Sequence, residues 1–503
     1  MRSLVCAAAG LMAGALLAAC GGGGQNTALS SPSTPQRGDL LQSPTLVGSY
    51  SASDLLEQLA DSDVAKLLLP LAYTPQCTVD VYHFEYETVG GAAEPTSASG
   101  ALMVSTGSGA TCSGAHPILL YAHGTNTDKT FDIAELNSSN AEGVLLAAVF
   151  AAAGYVVVAP NYAGYDTSTL PYHPYLDADQ QSNDMTDALT AARTALPTLA
   201  SSVTDGGKLF ITGYSQGGHV AMATHRAMQT AGTTVTASAP MSGPYALAAF
   251  GDAIFYGHVS LGSPANLTLI VSSYQHAYGN VYSAPGDIFE PQFAPDIASL
   301  LPSTTPISDL YAEGKLPQSE LFSSTAPSPA WVADTPPTTP ALLAPIFAMG
   351  FGTDNLILNS YRLAYLQDAS AAPDGGFPTL TTGVPAADPG NAVRKDLKLN
   401  DLRDWSPDAP VFLCGGDEDP TVFYFNTQLM QDYWSVHVPA SSVSVLDLDA
   451  APAAPYATLQ EAFAAAKAVV AASGGEPAVL AEYHAGLVAP FCVAAVRSFF
   501  DAM

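Results

Sequence analysis

Basic residues are scarce in this chain. Across 503 residues there are 15 Lys and Arg against 45 Asp and Glu, a formal net charge of −30. Phosphate recognition needs cationic side chains, so this supply excludes a nucleic-acid-binding face. The acidic balance also disfavours polyanionic substrates. Charged residues of both signs make up only 12%, whereas apolar ones make up 48%. A charge-poor, apolar-rich chain has material for a sizeable core, which excludes disorder for its bulk. Cysteine is sparse too, with six in the chain. Neither a CxxC pair nor an HExxH segment occurs, so spacing gives no support for a metal centre, and no metal or cofactor is expected. The composition favours solubility and a neutral or apolar ligand. At about 150 residues per domain the length allows three domains, but large α/β units run to 250 residues or more. One large domain with an elaboration fits equally well.

Met1-Arg2-Ser3 makes a short positive start, and an apolar run follows from Leu4 to Ala19. It is too short for a stable membrane span and reads as a signal-peptide core. The run ends in Leu17-Ala18-Ala19-Cys20, which resembles the lipobox of bacterial lipoproteins. That resemblance implies loss of residues 1–19, lipidation of Cys20, export and a membrane anchor. Gly21, not Asp, follows the cysteine, which resembles the outer-membrane default. An ordinary signal peptide that happens to contain Cys is the alternative. Gly21–Gly24 and a Ser/Pro/Thr-rich stretch then read as a flexible tether over residues 20–44. Export permits disulfides. The mature body holds Cys77, Cys112, Cys414 and Cys492, which allow three pairings. Cys77–Cys112, flanking an apparent strand pair, and Cys414–Cys492 are expected; buried free thiols are the alternative. The 35-residue loop closed by the first bridge contributes about 3–4 kcal/mol in the chain-entropy model.

The body alternates strand and helix patterns. Strands are expected at Asp80–Val89, Gly100–Ser105, Pro117–Ala122, Tyr155–Ala159, Lys208–Thr212, Thr234–Ala239, Pro410–Leu413 and Ser442–Leu448. Ile118–Tyr121 and Val156–Val158 are continuously apolar, as in strands buried on both faces of a parallel sheet. Helices are expected at Ala141–Ala153, Asn183–Leu196, Gln216–Thr230, Leu459–Ala472 and Leu487–Met503. This order predicts a doubly wound α/β sheet. Its first part spans residues 45–245 and its second 401–503. Residues 246–400 break the alternation with many prolines, and read as a mainly helical cap. Apolar pieces of it, such as Ala344–Met349, either line a pocket or build the cap's own core.

Gly213-Tyr214-Ser215-Gln216-Gly217 is a G-x-S-x-G segment between a strand and a helical pattern. That context makes it a nucleophile elbow, a sharp turn that projects the Ser215 hydroxyl off the sheet. A serine needs a base, and the chain order for this elbow is Ser, then acid, then His. His484, after the last strand and before the C-terminal helix, is the expected base, with His437 second. His219, one helical turn past Ser215, fits packing. The acid comes from Gly415-Gly416-Asp417-Glu418-Asp419-Pro420-Thr421-Val422, at a strand's C-terminal end. The G-x-x-D-x-x-V spacing centres on Asp419, with Asp417 second. Oxyanion donors are expected from the backbone N–H of Gln216 and, in the loop His123-Gly124-Thr125, of Thr125 in preference to Gly124. His123 fits a role in shaping this loop. Tyr162 and Tyr165 either border an acyl pocket or pack.

Tyr121-Ala122-His123-Gly124-Thr125, the elbow, Gly416–Val422 and a late histidine together resemble the α/β-hydrolase superfamily from about Asp80 to Met503. Tyr172-His173-Pro174-Tyr175-Leu176, Asn400-Asp401-Leu402-Arg403-Asp404-Trp405, Asp419–Val422 and Asn426-Thr427 are similar to the secretory lipase group. The resemblance implies a mostly parallel central sheet flanked by helices and a cofactor-free esterase or lipase. It implies an acyl-enzyme mechanism with Ser215, Asp419 and His484 as triad, acting on a small-molecule or lipid ester. The 65-residue gap between Asp419 and His484 departs from the common pattern. A serine peptidase on the same fold and a non-catalytic surface lipoprotein are the alternative functions.

Overall fold

Nine strands form one sheet: β1 (Thr45–Tyr50), β2 (Thr78–Val89), β3 (Pro95–Thr106), β4 (Gly114–Ala122), β5 (Val156–Pro160), β6 (Val203–Tyr214), β7 (Ala237–Met241), β8 (Val411–Gly415) and β9 (Val443–Asp447). The computed structural model describes residues 35–59, 75–137, 140–199, 202–374, 384–439 and 442–503. The expected signal segment and Cys20 lie outside the described residues. The strand order is β1-β2-β3-β5-β4-β6-β7-β8-β9. β1, β2 and β3 run antiparallel, and β3 is antiparallel to β5. From β5 to β9 every pairing is parallel. β5, β7 and β8 are buried along their whole length, as strands covered by helices on both faces must be.

The helices of eight residues or more are α1 (Ala52–Leu59), α2 (Ala141–Val149), α3 (Ala178–Ala195), α4 (Gln216–Thr230), α5 (Leu247–Phe255), α6 (Ser263–Tyr278), α7 (Asn359–Ala371), α8 (Ala392–Leu399), α9 (Phe425–Ser435), α10 (Ala457–Glu482) and α11 (Ala489–Asp501). Alternation along the strands splits the core into two layers. Leu119 and Phe210 pack with α2, α10 and α11, including Val144, Phe463 and Phe491. Their neighbours Leu120 and Ile211 pack with α3 and α4 through Met185 and Val220. The expected α/β-hydrolase architecture is therefore the observed one. Both disulfides form in the expected pairing, Cys77–Cys112 and Cys414–Cys492, with Cα atoms 5.5 and 5.6 Å apart.

Three expectations need correction. The tether does not run to Pro44. The body begins at Gln36, where Gly38 and Leu41 donate backbone hydrogen bonds to Glu87 and Glu85 of β2 and Arg37 pairs with Asp187. Edge strand β1 was not anticipated, because its side chains are mostly exposed and show no apolar alternation. The helix expected at Leu459–Ala472 continues to Glu482, through a break at Gly475, which takes φ +70°.

The insertion between β7 and β8 is mainly helical, with a two-residue strand pair at Phe322–Ser323 and Phe351–Gly352. It has its own core around Phe255, Leu269, Tyr274, Phe322, Tyr365 and Leu366. Buried ion pairs fasten it: Arg394 holds Asp252 and Asp368, and Arg403 holds Asp374 and Asp401. Of Ala344–Met349, Ile346 and Phe347 are buried with Phe423, Phe425 and Leu480 of the main body.

Candidate active site

β6 ends at Tyr214, and α4 starts at Gln216. The single residue between them, Ser215, has φ +59° and ψ −121°, a backbone state that costs a non-glycine residue about 1–3 kcal/mol. The surroundings enforce it. Ser215 N–H donates to the Met241 carbonyl at 3.0 Å, and Gly218 N–H returns to the Ser215 carbonyl at 2.9 Å. A Cβ on Gly217 would overlap the Ala122 carbonyl, and one on Gly213 would strike Gly217 and Ala122. The two glycines flanking the serine are therefore required by close approach.

Asp419 sits in the turn after β8. Its Oδ1 accepts from the N–H groups of Thr421 at 2.9 Å and Val422 at 3.1 Å, and its Oδ2 lies 2.7 Å from His484 Nδ1. The Asp419 side chain is 1% exposed. His484 belongs to a π-type turn, Tyr483–Val488, between α10 and α11. Its main-chain carbonyl accepts from the Tyr214 hydroxyl, and its Nε2 is buried without a hydrogen-bond partner among the described residues. The 65 residues between Asp419 and His484 are thus taken up by α9, β9 and the long α10. Asp417 makes no bond to the imidazole; its N–H donates to Asp447. His437 is stacked on Tyr433 with Nδ1 at the Tyr433 carbonyl.

Ser215 and His484 open on one cavity of about 730 Å³. Leu145, Leu247, Phe250, Leu261, Ile270 and Val493 make its walls apolar. Among the described lining residues there is no Lys, Arg or Asp; Glu142 is the one carboxyl group. Gly124, Thr125 and Gln216 line the same space. Gly124 N–H is taken by the Glu142 carboxyl at 3.1 and 3.3 Å, while the Thr125 hydroxyl pairs with the Tyr175 hydroxyl at 2.8 Å. The Gln216 side-chain Nε2 lies 2.7 Å from His173 Nε2, and His173 Nδ1 donates to the Ala163 carbonyl at 2.9 Å. Burial drives the His173 pKa down to about 3, so the ring is neutral and Nε2 is free to accept.

The remaining candidates serve as framework. Burial holds His123 at about 4; its ring stacks on Tyr162 and lies between the carbonyls of Gly124 and Asn161. Tyr162 and Tyr165 are fully buried and do not border the cavity. Their hydroxyls donate to the carbonyls of His123 and Asn126 and so brace the loop after β4. His219 is buried and bonded to the Asn400 carbonyl at 2.8 Å, the packing role its place on α4 suggested. Glu142, His173 and Tyr175 were not assigned roles from the sequence. Only the run His173-Pro174-Tyr175 carried a signal, through its likeness to secretory lipases.

A model of the prolyl oligopeptidase family matches residues 145–266, which include the elbow. No curated protein matches the chain. Among solved structures, the rice cell wall degrading esterase LipA of Xanthomonas oryzae is similar at 25% identity and a TM-score of 0.66, covering 93% of this chain and 99% of LipA. A putative hydrolase of Legionella pneumophila shares the fold at 19% identity and a TM-score of 0.63, covering 92% of this chain and 98% of that one. Fold, elbow and neighbours agree on a serine hydrolase of the α/β-hydrolase type.

Proposed function

We propose that the protein hydrolyses carboxylic esters with an apolar acyl group, through a Ser215–His484–Asp419 triad and an acyl-enzyme. The observation that carries this reading is the union of a strained elbow serine and an Asp-paired imidazole on one apolar cavity. Ser215 Oγ attacks the ester carbonyl as His484 Nε2 takes its proton. Asp419 holds the Nδ1–H tautomer and stabilises the imidazolium. The oxyanion is met by the N–H groups of Gln216 and Thr125. Thr125 is preferred because Gly124 N–H is already committed to Glu142. Collapse breaks the ester C–O bond, and His484 returns the proton to the leaving alcohol. Water then attacks the acyl-Ser215 carbonyl by the same route and releases the acid.

The LipA likeness supports an ester substrate, and the prolyl oligopeptidase match favours a peptidase as second reading. The cavity argues for the ester. An exopeptidase needs a charged group to hold a peptide terminus, and the described lining offers no cation and a single, already bonded carboxyl. The N-terminal residues support export and lipid anchoring at Cys20 in the outer membrane, which metabolic palmitate labelling of the wild type against Cys20→Ser tests. The decisive assay is a p-nitrophenyl ester ladder, acetate to palmitate, beside peptide anilides, with Ser215→Ala as control. Ester turnover lost in Ser215→Ala supports the proposal; anilide turnover without ester turnover transfers it to a peptidase. No turnover and no fluorophosphonate labelling leaves a binding protein.

A further inference from the structure

We propose that Glu142, resting on the ester-hydrolase reading above, is a positioning residue for acyl transfer: its carboxyl group, held between Tyr121 and Gly124, sets the loop that presents the Thr125 N–H. Glu142 lies in the first turn of α2 and lines the cavity. The Tyr121 hydroxyl donates to Oε1 at 2.5 Å, and Gly124 N–H reaches both carboxyl oxygens. Gly124 separates this carboxyl from the nucleophile. A Cβ placed there would be 3.8 Å from Glu142 Oε2 and equally 3.8 Å from Ser215 Cβ. A carboxyl in this place decides which N–H groups stay available to an oxyanion. It captures that of Gly124 and leaves that of Thr125 without an acceptor among the described residues.

The same placement makes its charge matter. First-turn acids of exposed helices are normally ionised and favoured by the helix dipole. Here burial opposes ionisation and lifts the pKa to about 7, against the donated bonds from Tyr121 and Gly124. The titratable groups facing it are Tyr121 of β4, Tyr162 beyond β5, Tyr214 of β6 and, across the cavity, His484. The three tyrosines are pushed well above their usual range by burial and stay neutral. α1, α5 and α6 contribute only uncharged side chains to this wall. Among the described residues no cation lines this wall to offset a Glu142 carboxylate, whose negative charge opposes the developing oxyanion. At protein-like dielectric this slows turnover on the order of tenfold to a hundredfold. Glu142 ionisation therefore sets an alkaline limb of the rate profile.

The test is kcat for a p-nitrophenyl ester from pH 5 to 9 in wild type, Glu142→Gln and Glu142→Ala, with Ser215→Ala as blank. Glutamine keeps an oxygen for Tyr121 and Gly124 but cannot ionise. We expect it to hold kcat at pH 6 within about threefold and to abolish an alkaline fall of about tenfold or more seen in wild type. Glu142→Ala should lower kcat at pH 6 by about tenfold with KM within about twofold, because the loop loses its anchor. An alkaline limb shared by wild type and Glu142→Gln overturns the proposal, as does an unchanged kcat in Glu142→Ala. If Glu142→Ala does not fold, Glu142→Gln alone decides. If wild type turns over no ester, the ester reading fails, and the pH dependence of fluorophosphonate labelling at Ser215 still reads the Glu142 effect.

Discussion

Replacing Asp419 by asparagine should abolish almost all activity without unfolding the site, and the structure dictates how. The turn after β8 aims two backbone N–H groups, of Thr421 and Val422, at Asp419 Oδ1 at 2.9 and 3.1 Å. An asparagine must leave its carbonyl oxygen there, because an amide NH2 would face two donors. Its NH2 group then takes the place of Oδ2, 2.7 Å from His484 Nδ1. A donor at that distance forces Nδ1 to accept, so the imidazole proton moves to Nε2. The ring is then turned into its wrong tautomer and cannot take the Ser215 proton. An equivalent tautomer fault in a serine hydrolase costs about 10⁴-fold in kcat, which at 1.36 kcal/mol per decade is about 5 kcal/mol of barrier. The assay is kcat for p-nitrophenyl butyrate in wild type and Asp419→Asn, with thermal melting to verify the fold. We expect a loss of 10³- to 10⁴-fold, KM within about threefold and a melting temperature within a few degrees of wild type. A variant keeping more than a tenth of wild-type kcat would refute the role of Asp419 and the tautomer argument together.

Other consequences are equally open to measurement. Arg403 is fully buried between Asp401 and Asp374, so Arg403→Ala strands two buried carboxyl groups and should cost about 3–5 kcal/mol in urea unfolding; a loss below 1 kcal/mol contradicts the assignment of this pair as the cap's fastening. Ile270 forms part of the cavity wall contributed by the cap, so Ile270→Trp should cut kcat/KM for palmitate esters about tenfold and spare acetate; equal losses on both would remove the cavity as the acyl site. Stability should depend on pH in two opposed ways. Burial lowers His123, His219, His225 and His258 to about 4 and His173 to about 3. The folded state refuses protons that the unfolded state takes below about 6.5, and stability is lost as pH falls. Burial raises Glu142 and Asp374 to about 7, and Asp177, Asp184, Asp396 and Asp447 to about 6. Their stabilisation is complete below about 4 and lost as pH rises through 6 to 7. Five imidazoles and six carboxyls thus oppose one another across the same range, and the melting temperature should be nearly level from about pH 4.5 to 7.5; a steady rise across that range would contradict these burials.

What could be read from the sequence follows the range over which each feature is encoded. The elbow was legible because its constraint is local: two glycines at fixed offsets admit the close approach of Gly217 to Ala122 and leave Ser215 at the turn. Asp419 was legible for a related reason, since its turn is closed by N–H groups only two and three residues ahead. His484 came from chain order, and its long separation from Asp419 turned out to be helix length and not a change of site. Glu142 was not legible. In sequence it is an ordinary acidic residue in the first turn of a helix, and only the fold brings Tyr121 and Gly124 to it and removes water. The segment at Gln36–Leu41 failed for the converse reason: its composition is that of a linker, yet Arg37 meets Asp187, 150 residues away, and the backbone completes an exposed edge of β2. Ala344–Met349 was apolar enough for either a pocket or a core, and the choice rested on Phe423, Phe425 and Leu480 from distant parts of the chain. The proposed nucleophile and acid are thus specified by short-range backbone geometry, whereas the groups around them are specified by burial. That division explains why the reaction type could be argued from residues alone, while the shape of the cavity and the charge state of Glu142 required the fold.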